Sequence, residues 1–320
     1  ILSFISIYLF YLSYLAYTGD KTKQKWFLLG SFFLWTSVYN NVRFSAENWS
    51  GSLFLIAYSL LFIGRSRSPW RYFSVGLLLG LSFLFRYQIM FSLVGLCLWL
   101  VMFRREDARG IALLLVGAGV SACSGLFIDS WFYGAWTISV WNDFVQDLWL
   151  DKLSDFGTAP WWFYFKATFF RAVPPIGFVV LLSCLLFVLN RIKHPATWVL
   201  IPFLVFHIVV GHKETRYLFP LLGFVPLLLA ESGRIVQAFL REHMVPDAYL
   251  RRGILIVCTI NLFILGIVLF RPADPHIALY ETLYREYPNA TTLYYIKKDP
   301  YRRVLNINYY KSKTLAIKGV

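Results

Sequence analysis

Long apolar runs alternate with short charged connections over the first 270 residues. Ten such runs can be recognised, at residues 1–17, 26–42, 50–63, 71–85, 88–103, 110–128, 172–189, 196–210, 218–231 and 253–270. Several are shorter than the ~20 residues with which a helix crosses a bilayer. We therefore expect some helices to extend into flanking polar residues, or to be broken inside the protein. The pattern predicts an all-α polytopic membrane protein with about ten transmembrane helices in residues 1–271.

The pattern changes after residue 271. Residues 275–287 favour a short helix, and two β-prone runs follow at Thr291–Ile296 and Val304–Tyr309, separated by a Lys-Lys-Asp-Pro turn. Alternating apolar and polar positions in runs of this length are typical of strands. Residues 272–320 are therefore expected to form a small extramembrane α/β tail.

Composition and charge agree with a membrane protein. Hydrophobic residues make up 58% of the chain and charged residues 15%, outside the range of soluble domains. The net charge of +14 does not predict nucleic-acid binding, because the basic residues form short clusters instead of one stripe. The clusters fall in alternate connections, as expected for cytoplasmic loops: Lys21, Lys23 and Lys25; Arg65, Arg67 and Arg71; Arg104, Arg105 and Arg109; Arg191 and Lys193; Arg234, Arg241, Arg251 and Arg252.

The remaining connections are expected on the lumenal or periplasmic face. They comprise residues 40–49, 86–88, 129–171 and 211–217 and the tail after Arg271, and together they include most of the acidic residues, such as Asp143 and Asp147. Any chemistry is therefore predicted outside the cytoplasm. The segment 129–171 contains six tryptophans, which suits helices lying in the headgroup region. Membrane anchoring alone is the alternative explanation for these tryptophans.

The densest group of ionisable residues lies in the connection before the ninth run. His212, Lys213, Glu214 and Arg216 occupy five positions between two apolar runs. Ionisable groups at the end of a membrane span are costly unless they face water, a partner or a ligand. This segment is the first candidate for a functional site. An interfacial loop whose charges only end the helix is the alternative.

Three segments carry a resemblance to a known family. They are GHKETRYLFP at 211–220, DSWFYGAWTISVWNDF at 129–144 and FGTAPWWFYF at 156–165. In order and spacing they resemble glycosyltransferase family 22, the polyprenyl-phosphate-mannose-dependent mannosyltransferases of the GT-C superfamily, over most of residues 26–270. Tyr217 stands where Phe is usual. Ala159 stands where many eukaryotic members have His, which favours a bacterial inner-membrane protein over one of the endoplasmic reticulum.

The resemblance implies an inverting transfer of mannose from a polyprenyl phosphate to a lipid-linked glycan on the non-cytoplasmic face. A single carboxylate base suffices for such a displacement. The family's usual base would lie upstream of Ile1, and the chain, which opens inside an apolar run, is expected to be a fragment. Asp129 and Glu214 are the alternative bases. Asp129 equally suits orienting Tyr133 or capping the following helix, and Glu214 suits fixing the neighbouring cations.

The donor phosphate requires cations at the membrane surface. His212, Lys213 and Arg216 are predicted to bind it. Arg86 is a further candidate, for which a salt bridge to Glu47 or Glu214 is the alternative. Candidate substrate-binding residues, in the same outer layer or in the family segments, are Arg43, Glu47, Asn48, Tyr133, Asn142, Thr158 and Trp161.

No cofactor and no protein-bound metal are expected, because no group of acids and histidines has the spacing of metal ligands. Two other functions stay open. One is a GT-C enzyme with a different sugar or acceptor. The other is a transporter or flippase that binds a lipid-linked sugar without chemistry, although the two halves of the sequence show no internal repeat of the kind common in transporters.

Overall fold

The apolar runs fold as helices in a computed structural model. It describes residues 1–64, 68–150, 152, 155, 157–271, 275–289, 291–297, 299, 301, 311 and 314–320. The basic positions Arg65 and Arg67 and the β-prone run Val304–Tyr309 lie outside these residues. The first seven helices are α1 (Leu2–Tyr17), α2 (Lys21–Phe33), α3 (Trp35–Asn41), α4 (Ala46–Phe62), α5 (Pro69–Phe85), α6 (Met90–Met102) and α7 (Ala108–Tyr133).

The second half of the chain contains shorter and more irregular elements. A π-helical turn, Val145–Trp149, follows α8, and 3-10 segments precede α6 at Tyr87–Ile89 and α12 at Thr215–Phe224. The remaining helices are α8 (Ser139–Phe144), α9 (Phe163–Arg171), α10 (Pro174–Asn190), α11 (Pro195–Val209), α12 (Val225–Glu242), α13 (Asp247–Phe270) and α14 (Pro275–Glu286).

Among the residues that the structure describes, three helical stretches are long and apolar enough to cross a membrane: Ala108–Tyr133, Thr215–Glu242 and Asp247–Phe270. The pair Pro174–Asn190 and Pro195–Val209 adds a fourth if it counts as one span bent by 120°. The expected helical membrane protein is confirmed, but the number of about ten spans is not. Many apolar runs form helices of 13–17 residues, which are shorter than a bilayer is thick.

One predicted span is broken at Leu34, between α2 and α3. The break is covered by Asn261 of α13, whose amide accepts a hydrogen bond from Trp35 N at 3.0 Å and donates one to Phe33 O at 2.7 Å. A helix break frees backbone groups that are costly to leave unpaired in an apolar environment. Asn261 therefore stabilises a discontinuity that lies 227 positions away in the sequence.

Helices α5 and α7 pack closely through glycines. A Cβ atom on Gly76 would overlap the carbonyl oxygen of Leu114, and one on Gly117 would overlap that of Phe73. Small residues at helix interfaces let backbones approach within membranes. Gly80, four residues after Gly76, also lies close to Ala118 of α7, so both glycines of this GxxxG pattern serve helix packing.

The basic connections are joined by contacts at one end of the bundle. At the C-terminal end of α4, Arg71 Nε donates to Leu60 O at 2.7 Å and Arg104 Nη1 to Leu61 O at 2.8 Å. Glu47 lies in the first turn of the same helix. Since α4 has 17 residues and a helix rises about 1.5 Å per residue, the basic end and the Glu47 end are about 25 Å apart.

Residues Ile267–Val320 form a second compact unit, after Ile1–Gly266. In this unit the tail contains α14 and two strands, β1 (Thr292–Tyr295) and β2 (Ala316–Gly319), paired in parallel with Thr292 opposite Ala316. The expected helix and first strand are present. The described second strand lies nearer the end of the chain than the run chosen from the sequence.

Candidate active site

The Thr215–Phe224 segment lies directly on α4. A Cβ atom on Gly51 would overlap the backbone of Pro220, so only glycine permits this approach. Helix α4 begins at Ala46, where the Ser45 hydroxyl accepts a hydrogen bond from Asn48 N at 3.1 Å, the usual role of a serine N-cap. Together these features bring the start of α4 beside the charged segment 212–216.

Glu47 and Arg86 form an ion pair across two helices. Arg86 follows the last residue of α5, and its Nη2 donates to Glu47 Oε1. The Glu47 side chain is 7% exposed and that of Arg86 24%. The salt bridge considered as the alternative role of Arg86 is thus present. The guanidinium keeps a buried Nε that has no hydrogen-bond partner among the described residues.

Arg216 extends this pair into a chain of alternating charges. Its Nε lies 3.9 Å from Glu47 Oε1 and donates to Glu214 Oε2. Glu214 Oε1 is 3.3 Å from His212 Nε2, and His212 Nδ1 is 2.8 Å from the carbonyl oxygen of Gly157. Both acceptors of His212 are oxygens without a hydrogen, so the two bonds form together only when the imidazole carries both protons.

The neighbours of Glu214 shift its pKa. Burial acts to raise the pKa of Glu214, but hydrogen bonds from Arg216 and His212 outweigh burial and hold the pKa below its ordinary value. A carboxylate held by two donors in this way is a weak base. The geometry therefore suits Glu214 to fixing the cations better than to removing a proton.

Lys213 is buried at the base of this loop, with 7% of its surface exposed. Its ammonium donates to the carbonyl oxygen of Val210, and it forms no ion pair with any carboxylate in the part of the chain that the structure describes. Burial lowers the pKa of Lys213. An ammonium in this position is stabilised by any anion that reaches it.

The third family segment meets the charged loop through its backbone. Ala159 N donates to Gly211 O at 3.0 Å, next to the contact between His212 and Gly157. Thr158 lies between these two contacts and is exposed, so its side chain is available beside the loop. Trp161 is 64% exposed and has its nearest ring contact with Phe165, at 6.2 Å between centroids.

The second family segment begins inside α7, not in a loop. The helix continues to Tyr133 and ends at Gly134, whose φ of 69° is left-handed, a conformation that glycine adopts without strain. Asp129 Oδ2 accepts a hydrogen bond at 2.7 Å from the backbone N of Ser139, the first residue of α8. Asp129 thus caps the following helix, the alternative to its role as a base.

Two other predicted residues of this segment lie apart from the charged loop. Tyr133 is 61% exposed, and its described ring contact is with the adjacent Phe132. Asn142 is exposed and donates to Thr137 Oγ1 at 2.7 Å. Among the described residues, neither side chain forms a hydrogen bond, ion pair or ring contact with His212, Lys213, Glu214 or Arg216.

Tyr87, which follows Arg86 in the chain, contacts α8 and the turn after it through residues that were not predicted as site residues. Tyr87 donates to Asp147 Oδ2 at 2.9 Å, and its ring meets that of Phe144 edge-on, with centroids 5.8 Å apart. Burial, and then the nearby carboxylate of Asp147, raise the pKa of Asp143, while Arg86 acts to lower it. The available sequence signal was the position of Tyr87 and the two acids in outer connections.

Arg43 and Asn48 form a neighbouring group beneath the start of α4. Arg43 Nη1 donates to Tyr39 Oη at 2.6 Å, and its guanidinium lies 3.6 Å above that ring. The Asn48 amide donates to Arg43 O at 2.8 Å and accepts from Ser3 and Ser52, both at 3.3 Å. With its amide engaged at both ends, Asn48 holds the Arg43 segment, and contact with a substrate would require these bonds to break.

Comparison with known proteins identifies a family and two relatives of this chain. Residues 1–304 match the model of the Alg9-like mannosyltransferase family. No solved structure matches the chain. The chain is similar to a probable Dol-P-Man:Man(7)GlcNAc(2)-PP-Dol alpha-1,6-mannosyltransferase of Schizosaccharomyces pombe, with 28% identity over 46% of this chain and 27% of that protein.

A second relative is the alpha-1,2-mannosyltransferase ALG9 of Mus musculus, 28% identical over 49% of this chain and 30% of that protein. The matched regions thus span less than a third of either relative. The family match, in contrast, extends through the three segments that carry the resemblance and through both ends of the helical bundle. The chain belongs to the Alg9-like mannosyltransferase family, which confirms the resemblance to glycosyltransferase family 22.

Proposed function

We propose that the protein is an inverting mannosyltransferase that moves mannose from a polyprenyl phosphate to a lipid-linked glycan at the Glu47–Arg216 end of the bundle, on the non-cytoplasmic face. The observation that carries this proposal is the buried ammonium of Lys213, which has no carboxylate partner among the described residues. In contrast, Arg216 of the same loop is paired with Glu214, and Arg86 is paired with Glu47.

The cations suit the departing phosphate. Lys213 supplies a point charge, and Arg86 keeps a buried Nε donor that no described group occupies. Arg216, fixed by Glu214, adds a planar guanidinium. As the bond between mannose and phosphate breaks, negative charge grows on the phosphate, and preorganised cations stabilise that charge more in the transition state than in the ground state.

The acids near Arg86 suit the sugar. The carboxylate of Asp147 accepts a hydrogen bond from Tyr87, and the charge of Arg86 acts on that of Asp143. Carboxylate oxygens also accept hydrogen bonds from the hydroxyl groups of a sugar. In this arrangement the mannose ring of the donor would contact these acids and its phosphate would contact Lys213. The donor would therefore occupy adjoining parts of one surface. Thr158, exposed beside the loop, is a further hydroxyl-binding candidate.

Family membership favours transfer over transport, and the name of the Schizosaccharomyces pombe relative includes a dolichol-linked donor and acceptor. The use of such a donor by this protein is part of the proposal. The compartment is also part of the proposal. Ala159 favours the bacterial inner membrane, whereas the eukaryotic origin of both relatives favours the endoplasmic reticulum.

The test uses the full-length protein in nanodiscs with radiolabelled polyprenyl-phosphate-mannose and a lipid-linked glycan extract. Lys213→Met should lower the transfer rate by roughly 10²- to 10³-fold, the usual effect of removing one preorganised charge-stabilising group. The matched control is Lys166→Met, since Lys166 is exposed on α9 and lies 5.5 Å from the Trp162 ring. Equal rates in wild type and Lys213→Met would reject the site, and donor binding without transfer to a competent acceptor would favour a transporter.

A further inference from the structure

A cavity of about 570 Å³ lies at the basic end of the bundle, opposite the candidate active site. Its walls come from the ends of α1, α4 and α6 and from the connection between α10 and α11. Six lining residues define its character: Tyr17, Tyr58, Phe62, Trp99, Arg191 and Lys193. Four of these are aromatic and two are cationic, and the volume is within the range of pockets that hold small ligands.

The cationic rim of this cavity is held in place by its neighbours. Trp99 Nε1 donates to Lys193 O at 2.8 Å, and Trp198 Nε1 donates to Ile192 O at 2.9 Å. His194 packs edge-on against Tyr17, with ring centroids 4.9 Å apart. Burial lowers the pKa of His194 to about 4, so this imidazole is a neutral part of the wall at pH 7. The connection is therefore preformed and does not need a ligand to order it.

A buried carboxylate orients Arg191. Glu231 of α12 is fully buried and accepts hydrogen bonds from Tyr14 at 2.9 Å, from Lys23 at 2.8 Å and from Arg191 Nη2 at 3.1 Å. The pair with Glu231 fixes the guanidinium at the rim of the cavity. It leaves Arg191 Nε buried and without a hydrogen-bond partner among the described residues, although a buried donor is costly to leave unpaired.

The charges at this rim favour an anion. Lys23 and Arg191 share one carboxylate, that of Glu231. Lys193 is exposed and forms no ion pair with another residue that the structure describes. The nearby pair of Asp20 and Arg234 is already balanced, at 2.8 Å. An incoming phosphate would meet the exposed part of the Arg191 side chain, 40% of its surface, and the Lys193 ammonium, and these are the two kinds of group that proteins most often use to bind phosphate.

We propose that this cavity is a second ligand site, which binds a phosphate-bearing lipid with its phosphate on Arg191 and Lys193 and the first part of its hydrocarbon chain against Tyr17, Phe62 and Trp99. The site is separate from the candidate active site, since the ends of α4 lie about 25 Å apart. The same chemistry is offered by a phospholipid headgroup and by a polyprenyl phosphate. The cavity is too small for a whole lipid, so the remaining chain would lie in the bilayer.

The experiment is native mass spectrometry of the delipidated full-length protein in detergent, titrated with three soluble probes. Dioctanoyl phosphatidate carries phosphate and acyl chains, farnesyl phosphate carries phosphate and a prenyl chain, and dioctanoylglycerol has no phosphate. At least one phosphate-bearing probe should bind about tenfold more tightly than dioctanoylglycerol, as expected for charge-assisted hydrogen bonds. Preference for the acyl or the prenyl probe would identify the source of the ligand.

Variants separate this site from general attraction to the basic end. Arg191→Gln and Lys193→Gln should each weaken binding of the phosphate-bearing probe, by about tenfold for Arg191. Ala16→Trp, which fills the cavity from its wall, should abolish binding without changing any charge. Arg234→Gln is the matched control, because Arg234 lies at the same end but does not line the cavity.

Three outcomes would overturn the proposal: equal binding of dioctanoylglycerol and the phosphate-bearing probes, equal loss in Arg191→Gln and Arg234→Gln, or unchanged binding in Ala16→Trp. If Arg191→Gln does not fold because Glu231 loses a partner, Lys193→Gln and Ala16→Trp still decide the question. A thermal-unfolding measurement on each variant establishes that the fold is intact before binding is compared.

Discussion

Arg86 and Glu47 join the end of α5 to the start of α4 through a largely buried ion pair. The pair lies between two parts of the candidate active site, the Arg216–Glu214 loop on one side and the Tyr87–Asp147 contact on the other. Removing either charge would leave its partner partly buried and uncompensated, and the cost of such a change exceeds the net contribution of the intact pair.

We therefore predict that Glu47→Gln and Arg86→Gln each destabilise the protein by about 2 kcal/mol, below the usual 3–5 kcal/mol because Arg86 is partly exposed to solvent. The double variant should cost less than the sum of the two single variants, because neither charge is then left alone. Thermal or denaturant unfolding in detergent measures this cycle. Additive single effects would show that the two side chains do not interact.

Variants of Arg216 separate the effect of the planar guanidinium group from the effect of its positive charge. Arg216→Ala should slow mannose transfer by about 10²-fold, and Arg216→Lys should recover only part of that loss, since lysine keeps the charge but lacks the planar fork that meets Glu214. Initial rates with radiolabelled donor provide the measurement. Full recovery in Arg216→Lys would mean that the orientation given by Glu214 has no role. Arg234→Lys, at the opposite end, is the control.

Glu214 should make folding stability depend on pH in the acid range. Its pKa is lower in the folded protein than in the unfolded chain, because the hydrogen bonds from Arg216 and His212 outweigh burial. Such a group stabilises the fold above its unfolded pKa of about 4.3 and loses that contribution as pH falls through the lower folded value. The melting temperature of Glu214→Gln should therefore lie below that of wild type at pH 7 and approach it towards pH 3.

The control variant for the pH dependence of Glu214→Gln is Glu281→Gln in the tail. Glu281 forms an exposed ion pair with Arg285 at 2.8 Å. Exposed pairs contribute little to stability, so this variant should follow wild type at every pH. A gap between wild type and Glu214→Gln that stays constant from pH 7 to pH 3 would contradict the role of the Glu214 charge.

Gly76→Ala should loosen the contact between α5 and α7. The new Cβ would overlap the carbonyl oxygen of Leu114, and backbone atoms move away less easily than side chains, so we expect a loss of about 1–3 kcal/mol in unfolding free energy. Gly119→Ala is the matched control on α7, because no atom lies within 4 Å of a Cβ built there. Equal stability of the two variants would show that the helices separate without cost.

The sequence identified the charged loop but not how its charges are shared. His212, Glu214 and Arg216 lie close enough in the chain to be grouped by inspection, and the structure places them in one network. Glu47 and Arg86 come from other helices, 39 positions apart. Their pairing depends on the contact of Gly51 with Pro220 and on the packing of α4 against α5, which spacing along the chain does not reveal.

The sequence by itself determined the helical membrane class, the separation of basic and acidic connections, and the family, because apolar runs must be buried or meet lipid and because the motifs are local strings. Only the tertiary structure decided where helices break, as at Leu34 under Asn261, and which buried charges pair. It also created the cavity beside Arg191, since a cavity arises from surfaces that distant segments leave unfilled when they pack. Local patterns fix what each residue prefers, whereas pairing and cavities depend on which residues the fold brings together.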